Sequence, residues 1–320
     1  MPPWRRAGVA LAVLAAALPL ACGQSDEAPL PERPLRIATG SPSGVYHSYG
    51  TGLSGVVERH LPALRPHVLA TDASIENLQM VADGRAEVAF TLADAASDAI
   101  RGKGRFPRPL PVMALTRLYD NYVQIVVRAD GPIRSVAQLA GRPVSVGPPG
   151  SGTGLVAERI LDIGGLSSPH ALRRVRLDVA ASAEALAAGR IDAFFWSGGL
   201  PTRAISDLRR RIAVRLVGLG GLAARLRERY DDLYVETVVP RAAYGLPSAV
   251  TTVSVPNYLV VRHDFDRDIA YRLTRALFQR QADLERAHPE AAQLNLRAAI
   301  ATYPLELHPG AVRWFREAHP

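Results

Sequence analysis

The stretch Leu35-Arg36-Ile37-Ala38-Thr39-Gly40-Ser41-Pro42-Ser43-Gly44-Val45-Tyr46 predicts a short apolar strand, a tight turn of Gly, Ser and Pro, and the start of a helix. Apolar residues at helical spacing follow the turn: Val45, Tyr49, Leu53, Val56, Val57 and Leu61. The first N–H groups of such a helix have no partner within it. Together with the positive end of the helix dipole they form an anion site.

The same arrangement recurs later in the chain. Val144 to Gly147 predicts a strand, Pro148 to Gly152 a turn, and Thr153 onward a helix. A second pair of features repeats in the same order, because Gly84-Arg85 and Gly189-Arg190 each stand between a helical pattern and an apolar strand. The two Gly-Arg pairs lie 105 positions apart, and Gly40 and Gly147 lie 107 apart. We therefore predict two similar lobes whose Gly/Ser turns face each other across a cleft.

Strand and helix patterns alternate along the chain, which favours an α/β fold with a mostly parallel sheet. Met113 to Leu115 and Val123 to Val127 predict two separate strands, and Pro256 is expected to break the strand region from Val250 to Val261. Helical patterns then continue to the C-terminus. If they pack back on the first lobe, two connections join the lobes and form a hinge.

Composition and motifs exclude several classes of function. The chain has 320 residues and a formal net charge of +8, but its Arg pairs and triplets are too short for a nucleic-acid-binding stripe. The sequence contains no P-loop, no dinucleotide-binding glycine spacing, no G-x-S-x-G and no H-E-x-x-H. With one cysteine it forms no internal disulfide and no cysteine-based zinc site. We expect no cofactor, no metal and no nucleic-acid partner.

The N-terminus predicts export. Arg5 and Arg6 precede an apolar run that is short for a membrane span and typical of a signal peptide, and the run ends at Cys22. This pattern resembles a bacterial lipoprotein signal, although Pro19 stands where such signals usually carry Leu. We predict a signal peptide over 1–21, lipidation of Cys22 and a disordered, Pro-rich tether over 22–34. The alternative is an ordinary cleaved signal with a chance cysteine.

Hydroxyl and aromatic side chains on the predicted turns are the candidate ligand-binding groups. Each hydroxyl on the two turns has an equally weighted alternative as a helix N-cap. Tyr46 and Trp196 are candidate cleft aromatics, with partial core burial as the alternative. Pro201 suits a first helical turn, which places Thr202 near another helix start. The four turn hydroxyls belong to Ser41, Ser43, Ser151 and Thr153.

Jointly these residues resemble the TAXI-type solute receptors of TRAP transporters. The matching motifs are Gly40-Ser41-x-x-Gly44-x-Tyr46 with Gly50, Asn77-Leu78 before Gly84, Asp94, Gly150-Ser151-Gly152-Thr153, and Phe195-Trp196-x-Gly198-Gly199-x-Pro201-Thr202. The sequence departs from the family at Thr91-Leu92-Ala93, where Gln-Ser commonly precedes the Asp. The resemblance implies a two-lobed type II periplasmic-binding-protein fold with a hinge and an interlobe cleft. It also implies a small anionic solute, such as glutamate or a related acidic compound, and delivery to an ion-gradient-driven permease.

We therefore predict a monomeric, non-enzymatic, extracytoplasmic receptor held at the membrane by a lipid anchor. Lobe 1 is expected over 35–118 plus 255–320, and lobe 2 over 119–254. A sensor with the same fold is one alternative. An exported hydrolase that uses Ser151 or Ser43 is another. The predicted ligand-binding set is Gly40, Ser41, Ser43, Gly44, Tyr46, Thr71, Ser74, Asn77, Asp94, Ser151, Gly152, Thr153, Trp196, Gly198, Pro201 and Thr202.

Overall fold

The computed structural model describes residues 29–318 of the chain. Its strands are β1 (Arg33–Ala38), β2 (Leu64–Leu69), β3 (Val88–Leu92), β4 (Val112–Arg128), β5 (Pro143–Ser145), β6 (Arg173–Val175), β7 (Ala193–Gly198), β8 (Val214–Leu216), β9 (Val235–Val239) and β10 (Val250–Arg262). Its helices are α1 (Val45–His60), α2 (Ser74–Ala82), α3 (Ala93–Arg101), α4 (Gly152–Ile163), α5 (Val179–Ala187), α6 (Arg203–Arg211), α7 (Leu222–Arg229), α8 (Arg241–Tyr244), α9 (Arg267–Gln279), α10 (Gln281–Ala287), α11 (Leu296–Ala299) and α12 (Pro309–Ala318). Two 3₁₀ turns cover Val136–Leu139 and Pro289–Gln293.

The sheet confirms the internal repeat. Its strand order is β2-β1-β3-β10-β4-β7-β5-β6, with β8 paired to β4 and β9 to β10. In the first half β1 lies parallel to both β2 and β3, and in the second half β5 lies parallel to both β6 and β7. Each half therefore has its first strand in the middle, and the two halves form the two lobes of one α/β fold.

Two glycines show how closely the lobes repeat. Gly84 follows α2 and Gly189 follows α5, and both have left-handed backbones, with φ of 69° and 68°. In each case the N–H of the next arginine donates to a carbonyl five residues back, Arg85 to Met80 and Arg190 to Ala185. This bond is the mark of a helix C-terminus that needs a residue free of Cβ strain. The Gly-Arg pairs are thus equivalent helix stops.

The strands that connect the lobes are longer than the sequence indicates. β4 runs without interruption for 17 residues, so the two strands predicted there are one. β10 continues through Pro256, where the sequence predicts a break. Pro256 is tolerated because pairing with β9 ends at Ser254, pairing with β3 begins at Asn257, and the register against β4 shifts at this point. The lobe limits predicted at 118/119 and 254/255 fall inside these two strands.

The N-terminal predictions lie mostly outside the described residues. The signal peptide, Cys22 and the tether up to residue 28 belong to the part that the structure does not describe. The body begins earlier than predicted, because Arg33 and Pro34 already pair with β2 as the first residues of β1. Within 29–318, no helix is long and apolar enough to cross a membrane.

The core is divided among three clusters of buried apolar side chains. One cluster lies on one face of the sheet and is shared by the lobes, since it includes Leu78 of α2, Ala95 of α3 and Ile160 of α4. The second is formed by α1 with the C-terminal helices, including Leu53 and Leu277, so these helices pack against α1. The third belongs to α5 and α6 of the second lobe. The shared cluster holds the two lobes against each other on the face that carries α3 and α4.

Candidate ligand-binding cleft

A cavity of about 380 Å³ lies between the two predicted turns. It is bounded by the turn before α1, the turn before α4, the residues that precede α2 and the end of β7. Eleven residues of the predicted set line it: Gly40, Ser41, Gly44, Tyr46, Thr71, Ser74, Ser151, Gly152, Thr153, Trp196 and Gly198. The pairing of the two turns across one cleft therefore agrees with the sequence prediction.

The start of α1 leaves backbone donors free. Gly44 is the N-cap, its backbone is extended, and it has no side chain to cap the helix. Among the described residues, no acceptor takes a hydrogen bond from the N–H of Val45 or Tyr46. Because α1 has 16 residues, its aligned peptide dipoles place positive potential at this turn. The turn can hold an anion through backbone groups alone.

The start of α4 is partly capped by its own serine. Ser151 Oγ accepts from the Gly154 N–H at 2.9 Å and donates to the Pro148 carbonyl at 2.7 Å. Thr153 Oγ1 accepts from the Ser197 N–H at 3.1 Å. These hydroxyls are therefore structural as well as cavity-lining, and the N–H groups of Gly152 and Thr153 are the donors left without a partner in the described part of the chain. The alternative role of Ser151 as a helix cap is the one that the structure shows.

The two aromatic side chains line the cavity, and both are fixed at their polar ends. The Tyr46 hydroxyl donates to Asn257 Oδ1, and its ring stacks on Phe90 at a centroid distance of 5.3 Å. Trp196 Nε1 donates to Thr202 Oγ1 at 2.8 Å. The Trp196 ring lies across the cleft from Gly44, since a Cβ at Gly44 would be 3.5 Å from Trp196 Cη2. Both rings therefore line the cavity in fixed orientations.

Five predicted residues lie outside the cavity lining: Ser43, Asn77, Asp94, Pro201 and Thr202. Asn77 is fully buried, and its Nδ2 donates to the carbonyls of Thr39 and Phe90 at 2.6 and 2.8 Å, so it supports the turn from below. Thr202 is buried beneath Trp196 and donates to the Gly199 carbonyl at 2.9 Å. These two side chains position the cleft without lining it.

Asp94 belongs to a buried ionic cluster. It lies on α3, while its partners Arg159 and Tyr234 lie on α4 and just before β9, at 3.3 and 2.7 Å from Asp94 Oδ2. Arg159 also pairs with Asp98 at 2.6 Å. Burial raises the pKa of Asp94, whereas the Arg159 guanidinium and the Tyr234 hydroxyl lower it. The sequence could not show this role, since Asp94 and Arg159 are 65 positions apart.

The structure adds a cavity floor that sequence reasoning missed. Tyr119 and Asn121 lie two residues apart on β4, hence on the same face of the strand, and Asn121 Nδ2 donates to the carbonyl of Ser197 on β7. All three are buried, and Tyr119 OH, Asn121 Oδ1 and Ser197 Oγ have no hydrogen-bond partner among the described residues. The available signal was a polar run, Tyr119-Asp120-Asn121, between two apolar strand patterns.

The charged side chains in the lining are all acidic. Asp72 and Glu76 lie on the first lobe, and Asp178 lies on the second. Among the described residues that line the cavity, none is Arg, Lys or His. Ala73, between Asp72 and the start of α2, has a φ of 87°, a backbone that is strained for a residue with a Cβ. Strain of this kind is held in place where the surrounding contacts fix a loop.

Two contacts join the lobes at the edges of the cleft. The Gly150 carbonyl of the second turn accepts from the N–H groups of Ile75 and Glu76 at 3.0 and 3.2 Å, so it caps α2 of the other lobe. On the opposite side, the Leu200 N–H donates to Glu290 of the C-terminal segment. Burial raises the pKa of Glu290 to about 7. The lobes are thus in contact at both edges of the cleft, through a backbone carbonyl on one side and the Glu290 carboxyl group on the other.

Two α/β lobes around a cleft, joined by two long strands, define the fold of the two-lobed periplasmic binding proteins. The sequence profile of the NMT1-like family matches residues 37–318, and the chain belongs to this family.

Solved structures with the same fold include a binding protein component of an ABC phosphonate transporter from Pseudomonas aeruginosa, with a TM-score of 0.55, 10% identity, and coverage of 81% of this chain and 79% of that one. XAC2383 from Xanthomonas citri bound to chloride ion has a TM-score of 0.51 and 17% identity, covering 89% and 95%. A putative L-cystine ABC transporter protein from Listeria monocytogenes has a TM-score of 0.50 and 14% identity, covering 80% and 94%. At these identities the likeness establishes the fold.

Proposed function

We propose that this protein is an extracytoplasmic solute receptor that captures a small carboxylate-bearing solute between its lobes and delivers it to a membrane permease. The observation that carries the proposal is the interlobe cavity with two helix starts in its lining. Free N–H groups of α1 and α4, from different lobes, meet at one cleft. One carboxylate can accept hydrogen bonds from both, so its binding favours the form in which the lobes are together.

The permease is proposed to be of the TRAP type on the TAXI-like motifs, several of which lie at the turns that line the cavity. Two of the structural neighbours are named as components of ABC transporters, so an ABC permease is the second candidate. Lipidation of Cys22 is proposed from the signal pattern, and lobe limits near residues 118 and 254 from the repeat. Deletion of a neighbouring permease gene, followed by measurement of solute uptake, distinguishes transport from sensing.

The contacts of the Ser151 hydroxyl argue against hydrolysis. A nucleophilic serine needs a base that takes its proton, such as a histidine within hydrogen-bond reach. Here the Ser151 hydroxyl donates a hydrogen bond to the Pro148 carbonyl, and a backbone carbonyl cannot act as such a base. Ser43, the other serine considered, lies outside the cavity lining.

The experiment that tests the proposal is a solute screen by thermal melting, with calorimetry on the hits. A ligand at about 100 times its Kd stabilises the folded protein by about 2.7 kcal/mol, which gives a measurable shift in melting temperature. Carboxylates, sulfonates, phosphonates, amino acids and sugars are screened in parallel. We expect at least one carboxylate-bearing solute to bind without turnover. A screen in which only uncharged solutes bind, or none does, contradicts the proposal.

A further inference from the structure

We infer that the solute must carry an N–H donor group beside its carboxylate, so that the cleft selects zwitterions such as amino acids over dicarboxylates, sulfonates and phosphonates. This inference rests on the proposed function and adds a second group, the N–H donor, to the proposed carboxylate of the ligand. Asn121, Tyr119 and Ser197 of the cavity floor are its specificity-determining residues.

The orientation of Asn121 fixes the kind of group that it can bind. Its Nδ2 donates to the Ser197 carbonyl at 3.2 Å, which leaves Oδ1 as the free end of the amide. Oδ1 is an acceptor only, it has no partner in the described part of the chain, and Asn121 is 3% exposed. A buried acceptor without a partner is costly, so the site favours a ligand that brings a donor.

The two neighbouring hydroxyls complete the floor. Tyr119 OH and Ser197 Oγ also lack partners in the described residues, and the two residues are 2% and 6% exposed. Burial raises the pKa of Tyr119 well above its ordinary value, so its hydroxyl stays neutral and its oxygen lone pairs can accept a hydrogen bond. With Asn121 Oδ1, the floor offers up to three acceptors to one amino group.

The charge balance of the cleft points to the same ligand. Each helix start is equivalent to about half a positive charge, so two of them match a single carboxylate. Asp72, Glu76 and Asp178 add negative charge to the lining, with no basic side chain among the described lining residues to balance it. Each of these acids keeps an oxygen that is not used in the hydrogen bonds it makes to backbone N–H groups. Such a lining attracts an ammonium group and repels a second anionic group.

The test compares amino acids with their desamino counterparts by calorimetry on the full mature chain: glutamate with glutarate, aspartate with succinate, and alanine with propionate. Methanesulfonate and methylphosphonate are included. We expect at least one amino acid to bind and its desamino counterpart to bind at least 100-fold more weakly. A buried polar site built for an N–H group rejects an analogue that lacks it, because its own acceptors are then left unpaired.

Two tyrosines give a matched pair of variants. Tyr119→Phe removes a hydroxyl that has no hydrogen-bond partner among the described residues, so the fold should keep its melting temperature while the amino acid binds about 5- to 30-fold more weakly. Tyr49→Phe is the control, because its hydroxyl is also buried without a partner, its ring lies 6.0 Å from that of Tyr119, and it does not line the cavity. Its affinity should be unchanged.

Each outcome separates the inference from the proposed function. If glutarate, succinate or methylphosphonate binds as well as the amino acids, the inference is wrong while a carboxylate or oxyanion receptor remains. If both tyrosine variants bind like the wild type, the floor does not contact the solute and the inference is also wrong. If no solute of any class binds, the proposed function itself fails.

Discussion

Replacement of Gly152 by alanine should disfavour closure of the two lobes. Gly152 is the first residue of α4, and a Cβ there would lie 2.5 Å from Leu92 Cδ1 and 2.6 Å from Ser74 Oγ, both on the other lobe. Contacts this short force the neighbours apart. The clash exists only while the lobes touch, so the substitution acts on the closed form alone.

The magnitude follows from the packing. Overpacking a close contact costs about 1–3 kcal/mol, and each 1.4 kcal/mol is tenfold in affinity. We therefore expect Gly152→Ala to bind its solute roughly 5- to 150-fold more weakly. In the open form alanine fits the helical backbone and restricts the unfolded chain, which is worth about 0.4–1 kcal/mol. If the free protein is open, its melting temperature should stay the same or rise, while the shift caused by ligand becomes smaller.

Two further variants separate closure from direct contact with the solute. A Cβ at Gly150 would lie 2.9 Å from Asp72 Cβ across the same interlobe contact, although Gly150 does not line the cavity. Gly150→Ala should therefore weaken binding in the same way. Gly218→Ala is the control, since Gly218 is exposed on the second lobe and its Cβ would come no closer than 3.8 Å to another residue.

The assay combines calorimetry with small-angle scattering, with and without solute. The wild type and Gly218→Ala should become more compact on binding, and the Gly150 and Gly152 variants should do so less. If Gly152→Ala alone binds weakly, the residue acts on the solute directly. Wild-type affinity and compaction in both variants would refute closure by this contact.

Three further predictions concern other parts of the chain. Burial raises the pKa of Glu290 from its ordinary value to about 7, so the closed form takes up a proton. Solute affinity should therefore fall as pH rises from about 5 to 8. Titration calorimetry across that range should show that this pH dependence is lost in Glu290→Gln. Arg159→Met leaves Asp94 and Asp98 buried without a cation and should lower the free energy of unfolding by about 3–5 kcal/mol in urea titrations. Replacement of the exposed Arg203 by methionine is the control and should have no measurable effect. Cys22→Ala should move the protein from the membrane fraction to the soluble fraction, and a wild type already soluble after export would contradict the lipid anchor.

Local patterns in the sequence predicted the parts of the fold that depend on local chemistry. The turn before α1 and the helix ends at Gly84 and Gly189 can be predicted from neighbouring residues. The backbone freedom of glycine and the apolar stripe of a helix are both local properties of the sequence. For the same reason the repeat of two such units was visible before any strand pairing was known. The overall architecture was therefore predictable from short segments.

The long strands and the cavity floor could not be predicted, because they depend on residues that are distant in sequence. Pro256 normally interrupts a strand, and only the change of neighbours from β9 to β3 at that point lets β10 continue. Asn121 lies in a polar run between two apolar patterns that were interpreted as separate strands, and its role as a buried acceptor arises only where β4 passes β7 beneath the cleft. Asp94 was assigned to the ligand on the TAXI-like motif, and no local pattern could indicate its ion pair with Arg159, which is 65 positions away.

The two turns are equivalent in the fold but differ in chemistry. Gly44 leaves its helix uncapped, whereas Ser151 uses its hydroxyl to cap one N–H group of α4 and keeps the shape of the second turn. The second turn also carries Gly150, whose carbonyl accepts hydrogen bonds from the other lobe. It also carries Gly152, where the absence of a Cβ lets the other lobe pack closely. Because the same few residues carry the proposed carboxylate site and meet the opposite lobe, we expect solute binding and lobe contact to be coupled through the start of α4.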